Sequence, residues 1–313
     1  MPQTRPNARA IIDRARRFLD REHYGAAPSV ARLALGLQGG GAFGAYAWGV
    51  LDFLLAETDA EIDVLTGASA GALNATVCAT GLAHGGREGA RQALDAFWSD
   101  TVRTAQAEAP GVAAAFAANQ FAAFFGPAPR LRLSLAPLRS LIARHVDVDA
   151  LEHGPEVHVS AIRVQDWTPK IFTGAEITPD VLAASCCLPA MHEDAEIDGE
   201  RHWDGGYAAN PPLAPLRKGR RRLVVAITPP RPGARAATAA TAKDDIQPGH
   251  FSAPFAEELA SLKGWRPEIL DATPHLPAFR QAGAPTRHLV DRLYRSGRQD
   301  AADWASRPAK AAE

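Results

Sequence analysis

Residues 61–74 read EIDVLTGASAGALN, and this stretch decides the fold class that the sequence predicts. Residues 61–66 form a short, mostly apolar run that is typical of a buried parallel strand. The chain then turns sharply at residues 67–71 (GASAG) into an alanine-rich helix that is expected to end before His84. A G-x-S-x-G between a strand and a helix is the setting of a nucleophile elbow, so the sequence predicts that the hydroxyl of Ser69 stands above the sheet edge.

The residues around Ser69 are suited to acyl-transfer chemistry. An elbow forces its serine into a strained backbone geometry, which is tolerated only if Gly67 and Gly71 remove side chains that would clash with the neighbouring strand and helix. The helix that begins at Ala70 directs its free N–H groups and its dipole at the same place, and this favours the negative charge that develops during acyl transfer.

A second strand and turn precede this stretch, because residues 31–44 read ARLALGLQGGGAFG. Residues 31–38 predict a buried strand, and a helix follows the three glycines. The GGGAFG run formally matches the dinucleotide-binding pattern G-x-G-x-x-G, which requires an acidic residue at the end of the second strand. That strand ends in Thr66, and Asp63 lies within it, so a dinucleotide-binding enzyme is disfavoured.

The glycine-rich loop has a second interpretation. Loops that follow adjacent parallel strands meet at the same edge of a sheet. The backbone N–H groups of Gly40 and Gly41 are unobstructed by side chains, and we expect them to point at an oxyanion near Ser69.

The remaining chain extends the alternation of strands and helices, which predicts a mainly parallel sheet with helices on its faces. Further strands are predicted at residues 157–164, 170–173, about 196–203 and 222–228. Residues 106–129, rich in Ala and Phe, are interpreted as a buried helical hairpin rather than an acyl-binding lid. Residues 5–22 have the pattern of an amphipathic helix, packed on the domain or lying on a membrane surface.

Asp204 is the strongest candidate base, because Gly205 and Gly206 follow it and leave its carboxylate unshielded. The alternative is a solvated Asp-Gly hairpin turn. At an ordinary pKa of about 3.9 the carboxylate would be a weak base, so an apolar wall such as Trp203 or Tyr207 would have to raise its pKa.

Composition excludes several classes of protein. The 313 residues carry a formal net charge of -1, which provides no field for binding nucleic acid. The three cysteines lack metal-site spacing, so we expect no structural zinc and a reducing compartment. No signal peptide or membrane-crossing run is evident, so we expect a cytoplasmic protein, at most peripheral at the membrane.

Four motifs in order resemble those of the patatin-like phospholipases. They are GGGAFG, GASAG followed by Ala72-Leu73-Asn74, Ala184-Ser185 with Pro189, and DGGYAANPP. The resemblance covers about residues 31–229 and implies a three-layer α/β/α fold, a Ser-Asp dyad without histidine, and hydrolysis of acyl esters in lipids without a cofactor or metal. It implies that Ser69 is the nucleophile, Asp204 the base, and Gly39, Gly40 and Gly41 the oxyanion loop.

The resemblance has one departure, at Phe43, where many members of the family carry arginine or lysine in the glycine-rich motif. A cationic contact to a phosphate headgroup is thereby lost, which leaves a preference for phospholipids open. Phospholipids, lysophospholipids and acylglycerols all remain candidate substrates.

The expected organisation is an N-terminal amphipathic helical extension (1–30), a patatin-like catalytic domain (31–230), and a mobile loop with C-terminal helices packed on the same domain (231–313). The extension and residues 106–129 are candidates for contact with a lipid surface. The oligomeric state is open.

Two other functions stay open. One is a Ser-His-Asp esterase of the α/β-hydrolase type, in which His250, His275 or His288 follows Asp204 in the chain. The other is a catalytically silent patatin-like module that acts through interaction.

Overall fold

The computed structural model describes residues 32–125, 131–218, 221–231, 233–244, 246–276 and 285–307. Within these ranges the chain forms one sheet of eight strands. The strands are β1 (Leu33–Leu37), β2 (Ile62–Ala68), β3 (Glu156–Arg163), β4 (Thr168–Thr173), β5 (Ala195–Ile197), β6 (Glu200–Asp204), β7 (Arg221–Ala226) and β8 (Glu268–Asp271). The helices are α1 (Ala45–Glu57), α2 (Ala70–Phe125), α3 (Ala136–His145), α4 (Pro179–Ser185), α5 (Ala239–Asp244), α6 (Pro248–Ser261) and α7 (Arg287–Ala305).

The sheet is parallel in its centre and antiparallel at one end. Its strand order is β5-β6-β3-β2-β1-β7-β8, and β4 also pairs with β3. The pairs from β3 through β2, β1 and β7 to β8 are parallel, whereas β4 and β6 run antiparallel to β3. Since Leu37 at the end of β1 pairs with Gly67 near the end of β2, the loops that follow these two strands emerge side by side.

Both faces of the sheet are covered by apolar cores, and successive side chains of β1 point alternately into one core and the other. Leu33, Leu35 and Leu37 belong to the larger core, which includes residues of α1, α2 and α7. Ala34 belongs to a smaller core on the other face, together with Phe255 of α6. Every residue of β1 is buried, which explains its continuous apolar sequence. The predicted three-layer α/β/α fold with a mainly parallel central sheet is confirmed.

The helical segments differ from the predictions in two places. Helix α2 is interrupted by non-helical backbone at Gly85 and Gly86, close to the predicted helix end, and then continues to Phe125. The buried hairpin predicted for residues 106–129 is wrong, because residues 106–125 form a single helical run and residues 106–115 are exposed or half-buried. Alanine favours helix strongly and carries little apolar surface to bury, which is consistent with the exposure of residues 106–115.

The C-terminal part contributes to the same sheet and layers. Strand β8, which was not predicted, pairs with β7, and helix α7 packs against α1. Helix α5 and the start of α6 lie in the first part of residues 231–313, where a mobile loop was expected. The predicted N-terminal helix lies outside the described residues.

Two glycines allow α1 and α7 to cross at close range. A Cβ atom added at Gly49 would collide with the carbonyl oxygen of Tyr294, and one added at Gly297 would collide with the carbonyl oxygen of Tyr46. The same contact is fixed by Asp52, which accepts a hydrogen bond from the Tyr294 hydroxyl at 2.7 Å and is paired with Arg298.

We predict that Gly49→Ala and Gly297→Ala each destabilise the protein by about 1–3 kcal/mol, because the two helix backbones must separate to admit a methyl group. Urea unfolding measures the effect. Gly111→Ala is the matched control, since an added Cβ at this helical glycine has open space around it and should stabilise the helix by about 0.5–1 kcal/mol. Equal stability in the two crossing variants and the control would contradict the close helix contact.

Candidate active site

Ser69 lies at a sharp turn between β2 and α2, with φ at 53°, in the left-handed region that non-glycine residues rarely adopt. A Cβ atom added at Gly67 would come within 2.5 Å of the backbone nitrogen of Ala72, and one added at Gly71 would collide with the carbonyl oxygen of Leu37. The backbone at Ser69 therefore has the strained geometry that the sequence predicts for an elbow, and the flanking glycines are required by packing.

Asp204 ends strand β6 and is 2% exposed. Burial is the largest influence on this carboxylate and raises its pKa to about 7, although hydrogen bonds from the Gly206 N–H and the Ser69 side chain act in the opposite direction. The Gly206 N–H donates to Asp204 Oδ1 at 2.8 Å. The adjacent Trp203 and Tyr207 are buried, consistent with the predicted apolar surroundings. The structure thus brings together Ser69 and Asp204, which are far apart in the sequence.

Gly205 and Gly206 leave no room for side chains beside the carboxylate. A Cβ atom at Gly205 would overlap the backbone of Ser160 on β3, and one at Gly206 would lie 2.8 Å from the ring of Phe251 on α6. These contacts press the turn after Asp204 against both the sheet and α6.

The glycine-rich loop lies directly against the serine. A Cβ atom at Gly39 would be 2.8 Å from the Cβ atom of Ser69. The N–H group of Gly39 donates to Asn210 Oδ1 at 2.9 Å, so it is already engaged. Among the described residues, the N–H groups of Gly40 and Gly41 have no hydrogen-bond acceptor. Of the three predicted loop glycines, Gly40 and Gly41 therefore offer available backbone donors.

Two side chains beside Ser69 were not assigned a role by sequence reasoning. Ser185, at the end of α4, accepts a hydrogen bond from the backbone N–H of Ser69 at 2.9 Å. The side chain of Cys186 interacts with the Ser69 hydroxyl, and burial raises the pKa of this thiol well above its ordinary value. Cys186 is therefore a neutral thiol at physiological pH. The sequence analysis singled out the Ala184-Ser185 motif, but a motif alone does not indicate that the Ser185 hydroxyl binds the backbone N–H of Ser69.

The three candidate histidines occupy different surroundings. His250 on α6 is buried, with its ring centroid 6.3 Å from that of Tyr207. His275 interacts with Asp300 at 2.8 Å, and His288 is exposed on α7. Among the described residues, no histidine contributes to the pKa shift of Asp204, whereas Ser69 does. This arrangement favours a direct Ser-Asp interaction over a histidine-bridged triad.

Within the described residues, no group of three or more His, Cys, Asp or Glu side chains is arranged to hold a metal ion. No described helix combines the length and apolar character needed to cross a membrane.

The family model described as patatin-like phospholipase matches residues 35–217, more than half of the chain. No curated protein sequence matches the chain. Among solved structures, the crystal structure of VipD from Legionella pneumophila is similar, with a TM-score of 0.43 and 11% sequence identity, over 89% of this chain and 67% of that chain.

The raised pKa of Asp204 has a consequence for stability. In the unfolded chain this carboxyl loses its proton near its ordinary pKa of 3.8, but in the folded protein it does so only near pH 7. The folded state therefore binds more protons between these values, and the presence of Asp204 makes folding less favourable as pH rises through this range.

We predict that Asp204→Asn is more stable than wild type at pH 8, by up to a few kcal/mol, and that the gain shrinks towards pH 5. Urea unfolding at both pH values measures it. Asp166 is the control, because Arg163 lowers the pKa of that carboxyl and Asp166→Asn should bring no gain at pH 8. A stability gain in Asp204→Asn that did not vary with pH would contradict the raised pKa.

Proposed function

Because this chain belongs to the patatin-like phospholipase family, we propose that it hydrolyses carboxylic ester bonds of lipids with Ser69 as nucleophile and Asp204 as base. Members of this family act on lipid esters, which supports hydrolysis of lipid acyl esters as the activity. One observation supports the roles of Ser69 and Asp204. The Ser69 side chain interacts with a buried carboxylate whose pKa is raised to about 7. A carboxylate with this pKa accepts a proton efficiently at neutral pH and can return it in the next step.

In the acylation step, Ser69 Oγ attacks the ester carbonyl carbon while Asp204 accepts the hydroxyl proton. The electrons of the carbonyl double bond move to the oxygen and form a tetrahedral oxyanion. When this intermediate collapses, the bond to the alcohol breaks and Asp204 gives its proton to the departing alkoxide. The products are the free alcohol and an acyl group esterified to Ser69.

In the deacylation step, water takes the place of the alcohol. Asp204 accepts a proton from the water as its oxygen attacks the acyl carbon, and a second oxyanion forms. Collapse breaks the bond to Ser69 Oγ, which receives the proton from Asp204. The fatty acid leaves, and both side chains return to their starting states, so the cycle needs no cofactor.

The oxyanion in both steps would be stabilised by the N–H groups of Gly40 and Gly41 and by the N-terminus of α2. Removal of one such donor typically lowers kcat by ~10²–10³. These donors need to be held in position before the reaction. They stabilise the transition state most strongly when no free energy is spent on reorienting them as the negative charge develops.

The substrate range follows in part from Phe43. Its side chain is 2% exposed and lies in the larger core beneath the glycine-rich loop. It therefore supports the loop by packing and presents no cation to a phosphate group. We propose that ester hydrolysis does not require a phosphorylated headgroup, so acylglycerols and simple esters are substrates alongside phospholipids.

We predict that Ser69→Ala abolishes hydrolysis of p-nitrophenyl esters, lysophosphatidylcholine and diacyl phosphatidylcholine, with a thermal midpoint within a few degrees of wild type. Ser306→Ala, at an exposed serine after α7, is the matched control and should keep full activity. Labelling of wild type, but not of Ser69→Ala, by a fluorophosphonate reports the same nucleophile. A wild-type protein that neither hydrolyses these esters nor becomes labelled would indicate the silent module instead.

The identity of the base is tested by pH dependence. We predict that kcat/KM rises with pH and reaches half its plateau near pH 7, because Asp204 must be deprotonated to accept the serine proton. Asp204→Asn should be nearly inactive across the whole range. The acidic limb should stay in place in His250→Ala, His275→Ala and His288→Ala. Loss of activity or displacement of the limb in one of these three variants, with its fold intact, would identify a histidine base.

A further inference from the structure

A buried polar cluster connects the start of the glycine-rich loop to the segment that carries Asp204. It consists of Gln38, Asn210 and Thr228, none of which is more than 6% exposed, and we call it the loop anchor. Gln38 follows β1, Thr228 follows β7, and Asn210 lies six positions beyond Asp204. The loop anchor therefore joins three segments that meet at the carboxyl edge of the sheet.

Gln38 is held at the end of β7 by its backbone and its side chain. Its N–H donates to the carbonyl of Val225 at 3.1 Å. Its Oε1 atom accepts the N–H groups of Ile227 and Thr228, each at 2.8 Å, and its Nε2 atom donates to the backbone carbonyl of Asn210 at 2.9 Å. The residue before the glycines thus has a fixed position relative to both neighbours.

Asn210 makes the contact that reaches the loop itself. Its Oδ1 atom accepts the N–H of Gly39 at 2.9 Å, and its Nδ2 atom lies 3.5 Å from Thr228 Oγ1 and from the carbonyl oxygen of Phe251. Without this acceptor the Gly39 N–H would be buried and unpaired, which costs about 1–3 kcal/mol. A rotation of the loop would relieve that cost.

The other end of the loop is fixed separately. Asn74 on α2 donates from Nδ2 to the carbonyl oxygen of Gly44 at 3.0 Å, and its Oδ1 atom accepts the Trp98 N–H at 2.9 Å. Three consecutive glycines have weak conformational preferences of their own, so the contacts of the loop with its neighbours, including those at its two ends, define its path.

We propose that Asn210 is a positioning residue for the oxyanion loop: by fixing the Gly39 N–H, its side chain holds the donors of Gly40 and Gly41 in the orientation that the transition state requires. The proposal rests on the proposed function, since it assumes that the loop binds the oxyanion. Asn210 does not touch the reacting atoms and acts only through Gly39.

The test compares Asn210→Ala with Thr58→Val. Thr58 Oγ1 also accepts a backbone N–H, that of Ala60 at 3.2 Å, but it lies after α1, before the start of β2 and away from Ser69. Asn210→Ala should lower kcat by about tenfold to a hundredfold and change KM by less than about twofold, because the lost orientation matters mainly in the transition state. Thr58→Val should lower stability without changing kcat.

Two further measurements separate positioning from general destabilisation. The rate of Ser69 labelling by a fluorophosphonate, which forms a tetrahedral oxyanion-like adduct, should fall in parallel with kcat in Asn210→Ala. Hydrogen exchange at the Gly39 amide should accelerate by about tenfold or more in Asn210→Ala but not in Thr58→Val, because only the former loses the acceptor of that amide. If Asn210→Ala does not fold, Asn210→Leu removes the same acceptor with little change in volume.

Full kcat in a folded variant that lacks the acceptor would overturn the proposal. So would equal losses of kcat in Asn210→Ala and Thr58→Val, because the effect would then follow stability alone. Failure of the proposed function has a different signature: Ser69→Ala would keep its activity, while Gly39 exchange would still report whether Asn210 orders the loop.

Discussion

The close approach of the carboxyl ends of β1 and β2 is the constraint on which the candidate site depends. Parallel pairing of Leu37 with Gly67 sets two loops side by side, and the backbone of Gly71 then packs against the Leu37 carbonyl group. At this distance a side chain on Gly39 would meet Ser69. Close strand spacing therefore requires glycine at positions 39 and 71, and the loop can lie directly against the Ser69 turn only because these two residues have no side chain.

Two features of the candidate site destabilise the folded protein. A buried carboxylate and a serine in the left-handed region both raise the free energy of the folded state. Compensation comes from elsewhere in the fold. Arg87 donates to four backbone carbonyls near the end of α1, and the paired charges of Asp52, Arg91 and Arg298 join α1, α2 and α7. The strained turn at Ser69 and the buried Asp204 are thus part of a fold in which many other polar groups are hydrogen-bonded or paired.

Local patterns predicted most of the strands and the sharp turn at Ser69, and they indicated Asp204 as a candidate, because these features depend on residues close together in the chain. The single strand predicted near residues 196–203 is the antiparallel pair of β5 and β6. Asn210 and Gln38 are 172 positions apart, and their contact leaves no periodic signal in a single sequence. Strand β8 was missed because it is short and only partly buried, so it lacks a marked apolar pattern. The hairpin predicted for residues 106–129 failed because alanine-rich sequence indicates a helix but does not indicate burial. The expected roles of the N-terminal segment concern residues outside those described.

The segment from Asp204 to Asn210 carries the candidate base at one end and the contact to Gly39 at the other. It is held in place by Ser160, whose hydroxyl donates to the carbonyl of Ala209 at 2.8 Å. For protein engineering, this means that residues 204–210 should be kept or exchanged together as one segment. Libraries that randomise positions within it would disturb the surroundings of the Asp204 carboxylate and the contact to Gly39 at the same time, whereas transfer of the intact segment into a related scaffold would keep the two in one geometry.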